Sequence, residues 1–159
     1  MHNLVALGIF LLLAVIAAMA GGLFIGGEWY QQMQQPSWNP PALLMALLWG
    51  VYFVLVAVSA WMVWQSMRGL AAGALTLWGL LLLLGVVWSW TYFGLHRPGW
   101  ALGPMSLWLA AGVLVLRAFR PIRPEAAWLM LPAVAWLAFS WLLNVVQWFK
   151  NGGGLGSIF

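Results

Sequence analysis

The sequence predicts an all-α, polytopic membrane protein: a bundle of five transmembrane helices. Two observations carry this. Of 159 residues, 65% are apolar and 5% charged, against roughly 25% charged in an ordinary soluble domain. Six Lys/Arg and two Glu cannot clothe a water-facing surface, so lipid must cover most of the chain. Second, five apolar stretches, at about 4–25, 42–65, 71–94, 100–118 and 126–148, each approach the roughly 20 residues a helix needs to cross a bilayer. The segments of about ten alternating residues that mark a membrane β-barrel are absent.

The first span, 4–25, ends its early part in Ala18-Met19-Ala20, an A-x-A pattern of the kind signal peptidases cut. No Lys or Arg precedes it and the apolar run continues to Ile25, so a retained helix is the expectation. Its small residues Ala14, Ala17, Ala18, Gly21 and Gly22 suit close helix packing in lipid; packing within the chain is the simpler reading, and a homodimer seam is the other. Residues 26–41 (GGEWYQQMQQPSWNPP) form the longest and most polar connection. The turns at 65–70, 96–99 and 119–125 are short and imply antiparallel neighbours in an up-down bundle. Arg117, near the end of the fourth span, can snorkel to the surface. Residues 151–159 read as a flexible, Gly-rich tail.

Five crossings define two sides. Arg68, Arg117, Arg120 and Arg123 fall with the N-terminus, and Arg97 and Lys150 with the long loop, so the positive-inside rule leans, by two charges, to a cytoplasmic N-terminus. The net charge of +4 rests on no basic cluster and does not point to nucleic acid. The absence of Cys excludes disulfides, thiol catalysis and cysteine metal sites. No acid lies inside a span, which removes a carboxylate proton relay. His2 and His96 stand alone, and no phosphate loop or serine elbow occurs. The sequence therefore offers no catalytic constellation, no metal site and no bound cofactor.

The 14 tryptophans sort by depth. Trp29, Trp38, Trp61, Trp64, Trp90, Trp100, Trp128 and Trp148 lie in loops or near helix ends, where an interfacial aromatic belt is expected. Trp49, Trp78, Trp88, Trp108, Trp136 and Trp141 lie deeper. At ~1.5 Å per residue, Trp49 and Trp88 sit roughly 10 Å below the long-loop side. Trp136 is nearer the midplane, and Asn144 on the last span is roughly 6–8 Å deep. The second, third and fifth spans can thus bring indole faces and one amide into a cavity under loop 26–41, a setting for a large flat ligand; helix-packing bulk is the plainer alternative. Asn144 and Gln147 are the most polar groups within a span, and an intramembrane amide more often bonds to another helix than to a ligand. Ser59, Thr76, Ser89, Thr91, Ser106 and Ser140 can be satisfied by their own helix carbonyls.

Four blocks resemble the TspO/MBR family, the tryptophan-rich sensory proteins that include the mitochondrial translocator protein. They are Glu28-Trp29-Tyr30 with Gln35-Pro36-Ser37-Trp38-Asn39-Pro40-Pro41; Trp49 through Phe53; Trp88-Ser89-Trp90-Thr91-Tyr92-Phe93-Gly94; and Pro132 through Phe139 with Leu143-Asn144 and Trp148. The resemblance covers about residues 20–150. It implies a five-helix bundle whose first loop closes a cavity for porphyrins and, in some members, isoquinoline-carboxamide drugs or sterols. Carried onto matching positions, it implies ligand-binding roles for Trp38, Pro40, Pro41, Trp49, Trp136 and Asn144; Trp88, Phe93 and Phe139 join them from the matching blocks. Trp49 and Trp136 match residues linked in bacterial relatives to light-driven protoporphyrin breakdown. The departures are Leu81 and Gly85, where the family usually has Gln and Asn, Trp90 for a proline and Ala133 for a tyrosine. They imply a drier and roomier pocket, less suited to drugs that use the missing Asn. The sterol motif of the last helix lacks its tyrosine, with Val145 and Val146 in that region, so sterol recognition is not expected.

The functional expectation is a membrane receptor or sensor that binds a tetrapyrrole such as protoporphyrin IX. The alternatives are light-dependent porphyrin degradation, transport of porphyrin or another apolar solute, and a ligand-free scaffold. Transport finds no inverted repeat or coupling-ion carboxylate to support it.

Overall fold

The computed structural model describes residues 2–25, 27–66 and 71–153. Five helices are long and apolar enough to cross a membrane: α1 (His2–Gly22), α3 (Ala42–Trp64), α4 (Ala71–Ser89, continued by a π-helical turn Trp90–Gly94), α5 (Pro98–Phe119) and α6 (Pro124–Lys150). A short helix, α2 (Glu28–Gln32), lies inside the first loop, which is therefore not wholly irregular. Helices α5 and α6 begin two residues before the apolar stretches do, each on a proline, the residue whose fixed φ and missing N–H suit a first helical turn. Arg68 and the rest of the 67–70 turn lie outside the described residues, as do residues 154–159 of the expected tail.

The five long helices close a ring in the order α1, α3, α6, α5, α4. Short connections do join neighbours at α4–α5 and α5–α6, but α3 and α4, linked by the 65–70 turn, face each other across the ring with little contact. α1 packs against both and fills the gap.

These helices are apolar on all sides, so hydrophobicity alone cannot orient them. What turns inward combines small, aromatic and polar residues with a few aliphatic ones such as Val56, Leu81 and Leu137. On α6 the buried face runs Ala126, Met130, Ala133, Leu137, Ser140, Asn144 and Gln147, a three-four spacing that keeps one face of a 3.6-residue helix together. On α5 it runs Ala101, Met105, Trp108, Ala111, Val115 and Phe119. Outward lie Leu12, Ile16, Leu47, Leu83 and Leu107. This distribution fits a bilayer, where lipid solvates aliphatic groups as well as the core does and buried polar groups bond between helices.

Polar cross-ties fix the ring. Ser89 donates to the Gly21 carbonyl at 2.7 Å, joining α4 to α1, whereas Ser59, Thr76, Thr91 and Ser106 do bond to their own helices. Arg123 donates to the Met62 carbonyl at 3.3 Å and to Gln65 Oε1 at 3.2 Å, clasping the start of α6 to the end of α3. Trp78, one of the deep tryptophans, is structural: its Nε1 donates to the Val56 carbonyl at 2.9 Å and its ring meets Phe10 edge-on. Trp141 donates to Ser106 Oγ at 2.9 Å, tying α6 to α5. Trp78→Phe, which keeps one aromatic ring but deletes the N–H and part of the buried volume, is expected to cost about 1–3 kcal/mol. Thermal unfolding in detergent followed by helical circular dichroism measures this; an unchanged midpoint would show that the bond contributes nothing.

Candidate ligand cavity

A cavity of about 780 Å³ lies under the first loop and opens outward between α1 and α3, where the lining residues Met19 and Val54 are exposed. Its walls come from α1, α3, α4 and α6, its roof from Tyr30, Asn39 and Pro40, and its floor from Trp108 of α5. The size falls within the ~300–1,000 Å³ of organic-ligand sites.

The aromatic wall is an indole cluster. Trp49 and Trp108 are stacked with centroids 5.3 Å apart and planes 11° apart. Trp88 lies 5.8 Å from Trp49 at 30° and 5.7 Å from Trp108 at 40°. Three helices therefore contribute one indole each to one aromatic cluster at the cavity. Trp136 meets Trp49 edge-on at 5.6 Å.

Gly85 makes this arrangement possible. A Cβ at residue 85 would lie 2.5 Å from Trp108 Cζ2, closer than nonbonded carbons tolerate. The indole of Trp108 thus occupies the space a side chain at 85 would fill. At residue 85 the expected extra room is not open, because Trp108 fills it. Leu81 is buried in the helix packing and, like Ala133, does not line the cavity.

Asn144 holds the wall in place. Its Oδ1 accepts from Trp88 Nε1 at 3.1 Å and its Nδ2 donates to the Pro98 carbonyl at 3.0 Å. It lines the cavity but is only 1% exposed, with both ends of its amide engaged. The two roles open to this residue are therefore combined: it touches the cavity while orienting the indole that forms the wall.

The roof is latched to α6 through Gln147. Its Oε1 accepts from Tyr92 Oη at 2.6 Å, and its Nε2 donates to Tyr30 Oη at 3.2 Å and to Gln35 Oε1 at 2.5 Å. A second clasp joins Gln34 and Asn151: the Gln34 N–H donates to Asn151 Oδ1 at 2.8 Å, and Asn151 Nδ2 returns a bond to the Gln34 carbonyl at 3.1 Å. The first residue of the expected flexible tail is thus engaged with the loop. Trp29, placed by depth in the interfacial belt, stacks on His96 at 4.6 Å, and His96 itself sits at φ 55° in the turn after the π-helical segment. The π-helical turn presents Tyr92 and Phe93 to the roof, where Tyr30 packs edge-on against Phe93 at 5.4 Å.

Of the residues singled out from sequence, Pro40, Trp49, Trp88, Phe93 and Asn144 line the cavity. Trp136 and Phe139 stack on each other at 5.2 Å in a layer behind Trp49. Trp38 packs edge-on against Phe139 and is 44% exposed, on the outside. Pro41 caps the start of α3. The sequence reading did not assign Tyr30, Trp108, Ser140, Gln147 or the small-residue face of α1 to the cavity, although all of them line it. On that face Ala14 and Gly21 are buried, Ala17 and Ala18 half-buried, and Gly22 exposed at its end. Ser140 and Gln147 were accessible to the reading, because they flank Asn144 at four and three residues on the same helical face. Among the described residues, Ser140 Oγ and Asn39 Oδ1 are buried with no hydrogen-bond partner, and both line the cavity.

A five-helix membrane bundle with an indole-walled cavity, roofed by its first loop, defines a multi-pass membrane protein with a binding or sensing role in general. Comparison with known proteins supplies the family. The TspO/MBR family matches residues 9–149, and the chain belongs to it. It is 33% identical over 153 residues to the Translocator protein of Homo sapiens, covering 92% of this chain and 90% of that one. With the Tryptophan-rich protein TspO of Chlorobaculum tepidum it shares 29% over 139 residues, 83% of this chain and 87% of the relative. With the Protein CrtK of Rhodobacter capsulatus it shares 27% over 154 residues, 95% and 96% respectively.

Proposed function

We propose that this protein is a membrane receptor or sensor that binds a tetrapyrrole, such as protoporphyrin IX, in the cavity beneath the first loop. The observation that carries the reading is the indole wall: Trp49 and Trp108 nearly parallel in an offset stack, with Trp88 beside them. An extended aromatic macrocycle gains area and dispersion against such a surface. The unpartnered Ser140 Oγ and Asn39 Oδ1 supply polar contacts of the kind that orient a ligand in an otherwise apolar site.

Titration of protoporphyrin IX into the detergent-solubilised protein, followed by tryptophan emission, tests the reading. Saturable quenching is expected, with an affinity lowered about tenfold or more by Trp49→Phe combined with Trp88→Phe, from the loss of about 1.4 kcal/mol or more of stacking and orientation. Quenching no different from that of free tryptophan in the same micelles would sink it.

A second reading, photo-oxidative breakdown of the bound porphyrin, is favoured by one feature. Trp49, Trp136, Phe139 and Trp38 form a chain of ring contacts from the cavity to the exposed surface. An indole at the cavity can give an electron to the excited macrocycle, which passes it to dioxygen; while the electron hole is shared with Trp136, the superoxide adds to the macrocycle and the electron returns to the indole radical, so that the net change is one dioxygen added to one macrocycle. Loss of the porphyrin absorption band under illumination, faster than in a protein-free micelle and slowed by Trp136→Phe, is the expected result; equal decay rates would dispose of it.

A further inference from the structure

At the end of the bundle remote from the loop, a groove of about 760 Å³ runs between the last turns of α5 and the first turns of α6. Leu116, Arg117 and Arg120 line one side and Ala127, Trp128 and Leu131 the other. Arg117 and Arg120 are three residues apart and share a helical face. Neither guanidinium makes an ion pair or hydrogen bond among the described residues, and the nearby carboxylate is taken: Glu125 lies 3.8 Å from Arg123. The other glutamate, Glu28, is in the loop at the opposite end. Trp128 is 70% exposed, an indole at the level where membrane interfaces hold Trp and Tyr. Cations at a helix C-terminus complement its dipole, which accounts for the arginines' position on α5. It does not account for their opening into a groove shared with a second helix, or for the apolar walls below them.

We propose that this groove binds one anionic phospholipid, with its phosphate between the Arg117 and Arg120 guanidiniums, its glycerol region against Trp128, and an acyl chain along Leu116 and Leu131. A guanidinium pair matches phosphate oxygens in geometry as well as charge. Basic pockets between membrane helices on the arginine-rich side are suited to anionic headgroups. The site is separate from the cavity under the first loop and needs no porphyrin.

The test is native mass spectrometry of the full chain released from nanodiscs holding equimolar phosphatidylcholine and phosphatidylglycerol. The expected result is a single retained phosphatidylglycerol, favoured over phosphatidylcholine. In the Arg117→Gln/Arg120→Gln variant that preference should fall about thirtyfold, in line with roughly 1 kcal/mol for each of the two basic residues near an anionic surface. Trp128→Ala should shorten retention without changing headgroup preference. Arg97→Gln with Lys150→Gln, at the other end, should leave retention as in the wild type. Helical circular dichroism confirms that each variant is folded, and a misfolded double glutamine variant is replaced by Arg117→Lys/Arg120→Lys, which should retain charge attraction but lose part of the preference. Equal retention of the two lipids, or preference unchanged by the arginine variants, overturns the proposal. So does ready displacement of the lipid by inorganic phosphate, which would mark an anion site without a lipid. Because the readout contains no tetrapyrrole, its failure is distinct from failure of the cavity reading.

Discussion

Replacing Gly85 by alanine is expected to destabilise the protein by about 1–3 kcal/mol and to weaken porphyrin binding in parallel. The added Cβ would lie 2.5 Å from Trp108 Cζ2, and the neighbour that must give way is a rigid indole clamped between Tyr52 and the other two indoles of the wall. Either Trp108 rotates, breaking its stack on Trp49, or α4 and α5 move apart. The double variant Gly85→Ala/Trp108→Leu should recover stability relative to Gly85→Ala alone, because leucine vacates the contested volume. It should not recover binding, because the wall has lost its third indole. Thermal unfolding separates the first effect and porphyrin titration the second. Additive destabilisation in the double variant would mean that the two residues do not contend for the same space.

Gln147→Leu is expected to have the second large effect. Leucine preserves the volume but removes the amide on which Tyr92, Tyr30 and Gln35 converge. Each polar group left buried without a partner costs about 1–3 kcal/mol. The tyrosine hydroxyls can relieve that cost by turning to water, which requires the roof to lift. The predicted phenotype is therefore faster proteolytic cleavage within residues 27–41 and faster release of bound porphyrin, with helix content unchanged. The Gln34–Asn151 clasp still holds one edge of the roof, so adding Asn151→Ala should speed cleavage further. Wild-type cleavage rates in Gln147→Leu would show that the roof is held by its ring contacts instead.

Much of this fold was legible because membrane insertion is written in composition. Five apolar runs without acids have few other uses, and the helices begin and end within a few residues of them. The ring order was not legible: helices that are apolar all round carry little information about which face turns inward. The same limit explains the site. Asn144 and Trp49 were found by depth and motif, and Gln147 stood out by polarity. Trp108 could be recognised as deep but not assigned, because its meaning depends on a missing side chain at residue 85, on the preceding helix. Gly85 read alone suggests empty space, and Trp108 read alone suggests packing. Only their juxtaposition shows that one fills the other. Trp38 and Pro41 illustrate the converse: a loop motif places residues near a site without fixing which of them face it.

The close spacing of the indoles also has an optical consequence. Trp88, Trp108, Trp49 and Trp136 form a cluster whose linked ring centres are 5.3–5.8 Å apart. At such separations an excitation absorbed by one indole migrates to the others before it is emitted, so the cluster radiates as a unit. A quencher touching any member darkens all of them, and a single Trp→Phe replacement leaves the antenna largely intact. The amplitude of quenching therefore reports that the cavity is occupied, while the concentration at which it saturates reports which indole the ligand needs. The same coupling makes the cavity a collector of ultraviolet light, delivering energy to whatever lies against the wall.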